Sequence, residues 1–466
     1  MDTLERTMFV GRETELSYLE ELYSKKGLQT CSILGRRGVG KSTVIEEFCR
    51  GKRHIYLQFV EYSRPDNIMI LNFVLSRFLH RNLPQYRTLT EYFEVISEIC
   101  NEEKTVLVID EFPYLLEWMP EAASVVQRFL DRSVKHTDTM VIICGSAATV
   151  MRKETEWPSR PLYGRFRNRL VVRPLDIGVC TAFHGDMSLR DQASVFLTVG
   201  GIPRYQEKMD RGTYEECIMS RYVLEAADMA EAGPEFIRNE IENAKMHIAA
   251  VSCICSGSVR QKEIAEKLGI DSSYCKKILD HLEEMEIIGR QNPMLNAPKK
   301  PIYYIRDGIV AFHFSVVVRM QPVMSGSREG TYGLMKHDID SFLGLRFEIL
   351  CRDFLLQRYP VKEIGKWWGL VDSEYTDIDI VAKVLDGNGL VRNVLCECKY
   401  STRPMGFGVL NTLQRRAEGL KVDDPIYALF SSDGFEGDLE EYASDNGILL
   451  FDLGTLFGRK GPPSIG

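Results

Sequence analysis

The sequence predicts an α/β fold built on a parallel sheet, and the first 175 residues carry most of the evidence. Four short apolar runs rich in β-branched residues lie there, at 31–34, 55–59, 105–109 and 140–144. Amphipathic stretches that suit helices, such as 66–80 and 121–135, separate them. Strands that are apolar along their whole length are typical of a parallel sheet with helices on both faces.

The composition is that of a globular protein. Of the 466 residues, 44% are hydrophobic and 27% are charged, enough for the cores of about three domains. The net charge of −8 argues against a uniformly basic nucleic-acid binder, although it leaves room for a local basic groove. No apolar run reaches the roughly 18 residues of a spanning helix, and the charged N-terminus lacks a signal-peptide core. We therefore expect a cytoplasmic protein whose 12 cysteines, with no C-x-x-C pair, are mostly reduced and buried.

Changes in pattern divide the chain into five segments. After the α/β core the pattern becomes helical, a small helical unit ends in a hairpin, and a Ser-Gly stretch follows before strand and helix signals alternate again. We predict an α/β core at 1–175, a helical lid at 176–245, a winged helix at 246–320, a linker at 321–337 and a second α/β domain at 338–466.

Residues 35–42 form a phosphate-binding motif. They read Gly-Arg-Arg-Gly-Val-Gly-Lys-Ser, fit the pattern G-x-x-x-x-G-K-[ST], and lie between an apolar run and a predicted helix, as the motif requires. The glycines let main-chain N–H groups surround phosphates, and the helix N-terminus adds a positive dipole end. Lys41 would reach the β- and γ-phosphates and Ser42 would hold Mg²⁺. The predicted ATP contacts are Gly35, Gly38, Val39, Gly40, Lys41, Ser42 and Thr43.

An acidic pair, Asp110 and Glu111, follows the third apolar run. It lies at the C-terminal end of a predicted strand, the edge where ligands bind in open parallel sheets. Beside a phosphate loop, Asp110 is predicted to hold Mg²⁺ through water, and Glu111 to orient or deprotonate the attacking water. The alternative is an ordinary acidic turn at the end of a strand.

Two later residues are candidates to complete this site. Ser146 follows the fourth apolar run and would contact the γ-phosphate or the water, although a helix N-cap is an equal alternative. Arg165 is the first choice for an arginine finger, acting in cis or from a neighbouring subunit. A solvated basic face is the alternative for Arg165 and the arginines around it.

Two short motifs resemble segments of STAND- and AAA-like, archaeal-type P-loop ATPases. Residues 9–16, Phe-Val-Gly-Arg-Glu-Thr-Glu-Leu, are similar to a motif that packs beside the adenine in those families. Residues 200–205, Gly-Gly-Ile-Pro-Arg-Tyr, are similar to the G-x-P motif of their helical lid. The resemblance covers residues 1–240 and implies that the nucleotide is also approached by Val10, Gly11, Arg12 and Pro203.

Residues 258–305 have the organisation of a winged helix, with two short helices, a turn and a hairpin. The second helix is predicted to bury the stripe formed by Tyr274, Ile278, Leu282 and Met285. Its outer face mixes bases with acids, so DNA contact and packing against protein both stay open. The best candidates for phosphate contact are Lys299 and Lys300 in the wing.

A second group of polar residues marks the C-terminal domain. Glu348 lies on a predicted helix, whereas Asp379 and Glu397 lie on two predicted strands joined by a Gly-rich turn. Alternation along a strand places Glu397 and Lys399 on one face, and the spacing allows Asp379 and Glu397 to meet across adjacent strands. Asp377 shares the face of Asp379, so spacing alone leaves the choice between them open.

This order, Glu…Asp…Glu-x-Lys, resembles the PD-(D/E)XK nuclease superfamily. The whole chain resembles archaeal-type DEXX-box ATPases that end in a restriction-endonuclease-like domain. The resemblance favours Asp379 and implies that Asp379 and Glu397 bind Mg²⁺, that Lys399 positions the attacking water, and that Glu348 assists. An acidic surface with one structural Glu–Lys pair is the alternative.

Together these patterns predict an ATP-hydrolysing protein that couples its nucleotide state to a Mg²⁺-dependent DNA nuclease-like domain. The alternative is a nucleotide-driven signalling or oligomerisation switch whose C-terminal domain binds DNA or protein without cleaving it. A scaffold that binds nucleotide with weak hydrolysis is a third hypothesis, against which Glu111 argues. The expected ligands and partners are ATP, Mg²⁺, double-stranded DNA and further copies of the chain.

Overall fold

The computed structural model describes residues 9–61, 63–210, 212–223, 227–295, 297, 300–320 and 330–465. The chain forms two compact units. The first contains the residues up to Leu175 together with Ile202–Arg204. The second contains Asp176–Gly201 and the residues from Tyr205 onward.

A five-stranded parallel sheet forms the centre of the first unit. Its strands are β1 (Gln29–Leu34), β2 (His54–Gln58), β3 (Val106–Asp110), β4 (Met140–Gly145) and β5 (Asn168–Val171). They lie in the order β2-β3-β4-β1-β5, and all neighbouring strands are parallel. The four apolar runs form β1 to β4, which confirms the predicted α/β class.

Helices connect these strands and cover the sheet. They are α1 (Glu13–Ser24), α2 (Lys41–Cys49), α3 (Arg64–Phe78), α4 (Leu89–Glu102), α5 (Phe112–Trp118), α6 (Ala122–Arg128) and α7 (Ala148–Glu156). Side-chain caps fix the starts of two of them: Ser63 accepts a hydrogen bond from the Asp66 N–H, and Thr88 forms a capping box with Glu91. Apolar side chains of β2, β3 and β4 share one core with α3, α4 and α6.

Short helices make up the first part of the second unit. In chain order they are α8 (Ile177–Cys180), α9 (Leu189–Val199), α10 (Pro203–Gln206, which begins in the first unit), α11 (Tyr214–Ile218), α12 (Ala232–Glu240), α13 (Lys245–Cys255), α14 (Gln261–Leu268), α15 (Ser272–Glu284) and α16 (Gly308–Phe312). Strands β6 (Ile288–Gln291) and β7 (Ile302–Ile305) pair antiparallel. Helices α14 and α15 and this hairpin follow the order expected for a winged helix.

The buried face of α15 differs from the predicted stripe at one position. Asp271 caps the helix through the N–H groups of Ser273 and Tyr274, and Tyr274 is 44% exposed. The prediction was wrong for Tyr274, because Cys275 takes its place beside Ile278, Leu279 and Leu282 in the core. Of the wing lysines, Lys300 is exposed and Lys299 lies outside the described residues.

A mixed five-stranded sheet forms the C-terminal part of the second unit. Helix α17 (Thr331–Arg358) precedes β8 (Val361–Val371), β9 (Glu374–Leu385), β10 (Val391–Lys399), α18 (Phe407–Leu420), β11 (Ile426–Ser431), α19 (Gly437–Asp445), β12 (Leu449–Phe451) and α20 (Leu453–Leu456). Strands β8, β9 and β10 are antiparallel neighbours, whereas β10, β11 and β12 are parallel. Helix α17 begins inside the predicted linker of 321–337, because Met335 and Ile339 belong to the core.

Of the 12 cysteines, all but Cys255 are buried. Among the described residues, no helix combines the length and the apolar character needed to cross a membrane.

Candidate functional site

The predicted phosphate-binding motif forms the turn between β1 and α2. Gly38 and Gly40 have φ angles of 79° and 92°, a left-handed conformation that favours glycine. Gly35 has no room for a side chain, because an added Cβ would stand 2.5 Å from the Val172 carbonyl oxygen. The loop ends at the N-terminus of α2, where main-chain N–H groups and the helix dipole suit an anion.

Lys41 lies across this loop. Its Nζ donates hydrogen bonds to the carbonyl oxygens of Gly35, at 2.9 Å, and Arg36, at 3.2 Å. The side chain is only 5% exposed, so its charge is held where phosphates would enter. Val39 beside it is fully buried, and Thr43 is half-buried on the first turn of α2.

Asp110 is the centre of a polar group at the end of β3. Its Oδ2 accepts hydrogen bonds from Ser42 Oγ and from the Tyr56 hydroxyl, both at 2.8 Å, and its Oδ1 accepts from the Glu111 N–H at 3.0 Å. Asp110 is fully buried. Burial, and then the carboxylate of Asp110, raise the pKa of Tyr56 well above its ordinary value, so Tyr56 stays a hydrogen-bond donor.

This arrangement fits a hard divalent cation. Ser42 and Asp110 place two oxygen atoms 2.8 Å apart beside the phosphate loop, and oxygen ligands are those that Mg²⁺ prefers. The sequence did not point to Tyr56. The parallel pairing of β2 with β3 brings it close, because Gln58 stands opposite Asp110 and Tyr56 precedes it by one pleat.

Glu111 adopts a left-handed main chain, with φ 51° and ψ 47°, between β3 and α5. Its Oε2 accepts hydrogen bonds from the N–H of Ser146, at 3.2 Å, and from the Ser146 hydroxyl, at 3.1 Å. The N-cap position of α7 is Ala147, and no side chain caps that helix. The N-cap alternative for Ser146 is therefore wrong, because its hydroxyl is directed to Glu111.

Arg12 connects the N-terminal motif to the phosphate loop. Its guanidinium donates to the carbonyl oxygens of Val39 and Arg173, each at 2.8 Å, and to Glu15 at 2.9 Å. Arg12 is 5% exposed, and its hydrogen bond to Val39 is buried, so this carbonyl group of the loop has a charged donor away from water. Arg12 thus braces the phosphate loop by binding the main-chain carbonyl group of Val39.

The other residues named by the resemblance lie as follows. Val10 and Gly11 are half-buried in the turn before α1, and Gly11 has a φ of 64°. Pro203 lies beside the loop, because a Cβ built on Gly40 would stand 4.0 Å from its Cγ. Arg165 has a different partner: its Nε and Nη2 pair with both carboxylate oxygens of Asp131, at 2.8 to 3.2 Å.

Arg12→Ala is expected to weaken ATP binding roughly tenfold, because the carbonyl groups of Val39 and Arg173 lose a charged hydrogen-bond donor and the loop loses its brace. Titration with a fluorescent ATP analogue measures this loss. Arg50→Ala provides the matched control, since Arg50 pairs with Glu47 on the surface of the same unit with 71% of its side chain exposed. Equal affinity in both variants would contradict the bracing role.

A second polar group lies in the mixed sheet. In the antiparallel register, Cys396 stands opposite Ile380, and the Cys398 N–H donates to Asp379 Oδ2 at 2.9 Å. Asp379 and Glu397 therefore meet across β9 and β10, as the spacing predicts. Glu397 pairs with Lys399 Nζ at 2.7 Å and with Arg416 of α18 at 3.1 Å.

Lys366 of β8 completes this group, and the sequence did not point to it. Its Nζ lies 3.1 Å from Glu348, 2.9 Å from Asp377 and 3.6 Å from Asp379. Burial, and then the charge of Asp379, raise the pKa of Glu348 to about 7, against the opposing effect of Lys366. Burial alone would lower the pKa of Lys366, but the carboxylates of Glu348, Asp379 and Asp377 raise it above its ordinary value.

The carboxylates of Glu348, Asp379 and Glu397 do not fit a divalent cation as they are arranged. Their oxygen atoms face the ammonium groups of Lys366 and Lys399 and the guanidinium of Arg416. Within the part of the chain that the structure describes, no group of three or more His, Cys, Asp or Glu residues is placed to hold a metal.

Comparison with known proteins agrees with the N-terminal geometry. Residues 9–209 match the model of an ATPase domain found predominantly in Archaea, and residues 313–415 match a family of archaeal and bacterial proteins of unknown function. An uncharacterized protein of Methanocaldococcus jannaschii is 28% identical over 387 residues, which is 80% of this chain and 84% of the relative.

Among solved structures, the Walker-type ATPase of Pyrococcus abyssi is similar, with a TM-score of 0.53 and 20% identity. The match covers 67% of this chain and 99% of that protein. At this identity the likeness concerns the fold alone. The matched domain and the phosphate loop agree on a nucleotide-binding and hydrolysing protein.

Proposed function

We propose that this P-loop ATPase binds ATP at residues 35–43, hydrolyses it with Asp110 and Glu111, and passes its nucleotide state to the second unit. The glycines of the loop and the N-terminus of α2 would surround the phosphates. Lys41 would exchange its two carbonyl partners for phosphate oxygens.

The observation that carries the hydrolytic part is the group formed by Ser42, Asp110, Glu111 and Ser146. Ser42 and Asp110 would hold Mg²⁺, which supplies positive charge to the phosphate oxygens. Glu111, kept in place by Ser146, would orient the attacking water and accept its proton. Tyr56 would hold the carboxylate of Asp110 in its present orientation.

The course of the chain supports the coupling. Ile202–Arg204 belongs to the first unit, whereas the segments on both sides of it belong to the second. Within the first unit, a Cβ built on Gly38 of the phosphate loop would stand 3.3 Å from Arg204 Cβ. A change in the loop would therefore act on a segment that is covalently joined to the second unit at both ends.

The coupling is tested by comparing the ATP-bound and ADP-bound protein. We expect the molecular mass in size-exclusion chromatography, or the pattern of limited proteolysis, to differ between the two nucleotides. Lys41→Ala serves as the control and should give one pattern in both. Identical behaviour of the wild-type protein with ATP and ADP would argue against a switch.

The second candidate function is Mg²⁺-dependent DNA cleavage by the C-terminal domain. It is favoured by the meeting of Asp379 with Glu397 across adjacent strands and by the 2.7 Å contact of Glu397 with Lys399. For this function the carboxylates must first exchange their present cationic partners. If they do, Lys399 would position the attacking water.

Cleavage is measured on supercoiled, linear and single-stranded DNA with Mg²⁺ or Mn²⁺, with and without ATP. If the second candidate holds, the wild-type protein cuts DNA and Lys399→Ala does not. Lys421→Ala is the matched control, because Lys421 is an exposed lysine at the end of α18 and should leave cutting unchanged. If all DNA stays intact while ATP is still hydrolysed, the nuclease candidate is contradicted. The nucleotide-driven switch whose second unit does not cleave DNA then remains.

A further inference from the structure

The divalent cation implied for the C-terminal carboxylates is incompatible with their present surroundings, and Lys366 is the reason. Three of the four carboxylates in this group, those of Glu348, Asp377 and Asp379, lie within 4 Å of its Nζ. Its side chain is 14% exposed, so water screens this charge weakly. A positive charge at this point satisfies the carboxylates and opposes any metal ion that approaches them.

The main chain of Lys366 is held by a segment from outside the sheet. β8 is an edge strand, and residues 292–294, which follow β6 of the hairpin, form a parallel bridge with it at Lys366. The Lys366 N–H donates to the Asn292 carbonyl oxygen at 3.1 Å, and the Met294 N–H donates to the Lys366 carbonyl oxygen at 3.0 Å. Lys366 thus forms the bridge with its main chain and supplies the positive charge with its side chain.

The surrounding sequence permits this bridge only because of a glycine. A Cβ on Gly365 would stand 2.1 Å from the Asn292 carbonyl oxygen, so no side chain is tolerated there while the bridge is closed. Pairing of β8 with β9 is irregular at the same level, since the register shifts between Gly365, opposite Val381, and Trp367, opposite Ile378. Asp379 lies within this irregular stretch.

We propose that Lys366 is an internal counter-ion that takes the place of a divalent cation among Glu348, Asp377 and Asp379, and that the bridge from residues 292–294 holds it there. Opening of the bridge frees the main chain of Lys366 and lets its ammonium leave the carboxylates. The group then becomes a site for a divalent metal. This inference rests on the second candidate function for the identity of the carboxylate site, and it is independent of ATP hydrolysis.

The test is the binding of Mn²⁺ to the full-length protein without nucleotide, measured by calorimetry or from the electron paramagnetic resonance signal of free Mn²⁺. Lys366→Met removes the charge and keeps an unbranched side chain that is one atom shorter. It is expected to bind Mn²⁺ at least about tenfold more tightly than the wild-type protein, because a repelling charge within 4 Å is lost. Lys366→Met combined with Asp379→Asn should lose the gain.

Two further variants keep the test decisive if Lys366→Met does not fold. Gly365→Ala leaves every charged residue of the group in place and breaks only the bridge, so it should also strengthen Mn²⁺ binding. Lys383→Met is the matched control, because Lys383 forms its ion pair with Glu363 between the same two strands, away from the carboxylates, and should not change Mn²⁺ binding.

Equal Mn²⁺ affinity in the wild-type protein, Gly365→Ala and Lys366→Met, including no binding in any of them, would overturn the inference. Tighter Mn²⁺ binding by Lys366→Met without DNA cleavage would support the counter-ion and contradict the nuclease candidate. The two proposals therefore fail by different observations.

Discussion

Replacement of Glu111 by glutamine is expected to slow ATP hydrolysis roughly 10²- to 10⁴-fold while ATP binding persists. Glutamine has nearly the same shape and keeps an oxygen atom that accepts hydrogen bonds from Ser146, but it does not accept a proton from water. The left-handed main chain at Glu111 costs about 1 kcal/mol for a residue other than glycine, which the surrounding structure must offset. Such a cost at the end of β3, beside the phosphate loop, is typical of a functional residue.

Single-turnover release of phosphate measures the rate, and titration with a fluorescent ATP analogue measures the affinity. Glu117→Gln is the matched control, because Glu117 is exposed on α5, the helix that Glu111 precedes. We expect wild-type turnover from it. If the Glu111→Gln protein hydrolysed ATP at the wild-type rate, Glu111 would not be the group that accepts the proton. The hypothesis of a scaffold that binds nucleotide with weak hydrolysis would then be favoured.

The sequence predicted the first unit well because its strands are buried on both faces. Four apolar runs are strong signals, and the phosphate loop and the acids after β3 occupy the positions that a parallel sheet requires. β5 was missed because Asn168 and Leu170 are half-buried while Arg169 and Val171 are exposed, so this edge strand has no continuous apolar run. Tyr56 was missed because its partner depends on strand pairing and not on local sequence.

In the second unit, the role of Lys366 also depends on strand pairing and cannot be recognised from the local sequence. A single lysine beside Trp367 carries no recognisable motif, and its role depends on three separate facts of the fold. These are the position of β8 at the sheet edge, its irregular pairing with β9, and the bridge to residues 292–294. The motif Glu-x-Lys at 397–399 identified the place of the polar group but not its charge balance, because the opposing charges come from distant segments.

Tyr274 and Ser146 illustrate how local rules compete. Spacing alone favoured Tyr274 for the buried face of α15, but Tyr274 lies in the first turn beside the cap at Asp271, and the buried face runs through Cys275, Ile278, Leu279 and Leu282. Ser146 had two equal interpretations from sequence, since a hydroxyl after a strand suits either a helix cap or a polar site. The structure excludes the helix cap, because the Ser146 hydroxyl donates its hydrogen bond to Glu111.

Lys41→Ala is expected to lower the affinity for ATP roughly 10- to 100-fold, because the charge-assisted hydrogen bond from the buried Lys41 side chain to phosphate is lost. The ammonium already lies between the carbonyl oxygens of Gly35 and Arg36, so little reorganisation is needed when phosphates enter. Lys52→Ala is the matched control, since Lys52 follows the other end of α2, where it pairs with Glu20 and the Phe48 carbonyl oxygen. Titration with a fluorescent ATP analogue compares the two variants. If Lys41→Ala bound ATP as tightly as Lys52→Ala, the loop would not be the phosphate site, and the roles given to Ser42, Asp110 and Glu111 would fail with it.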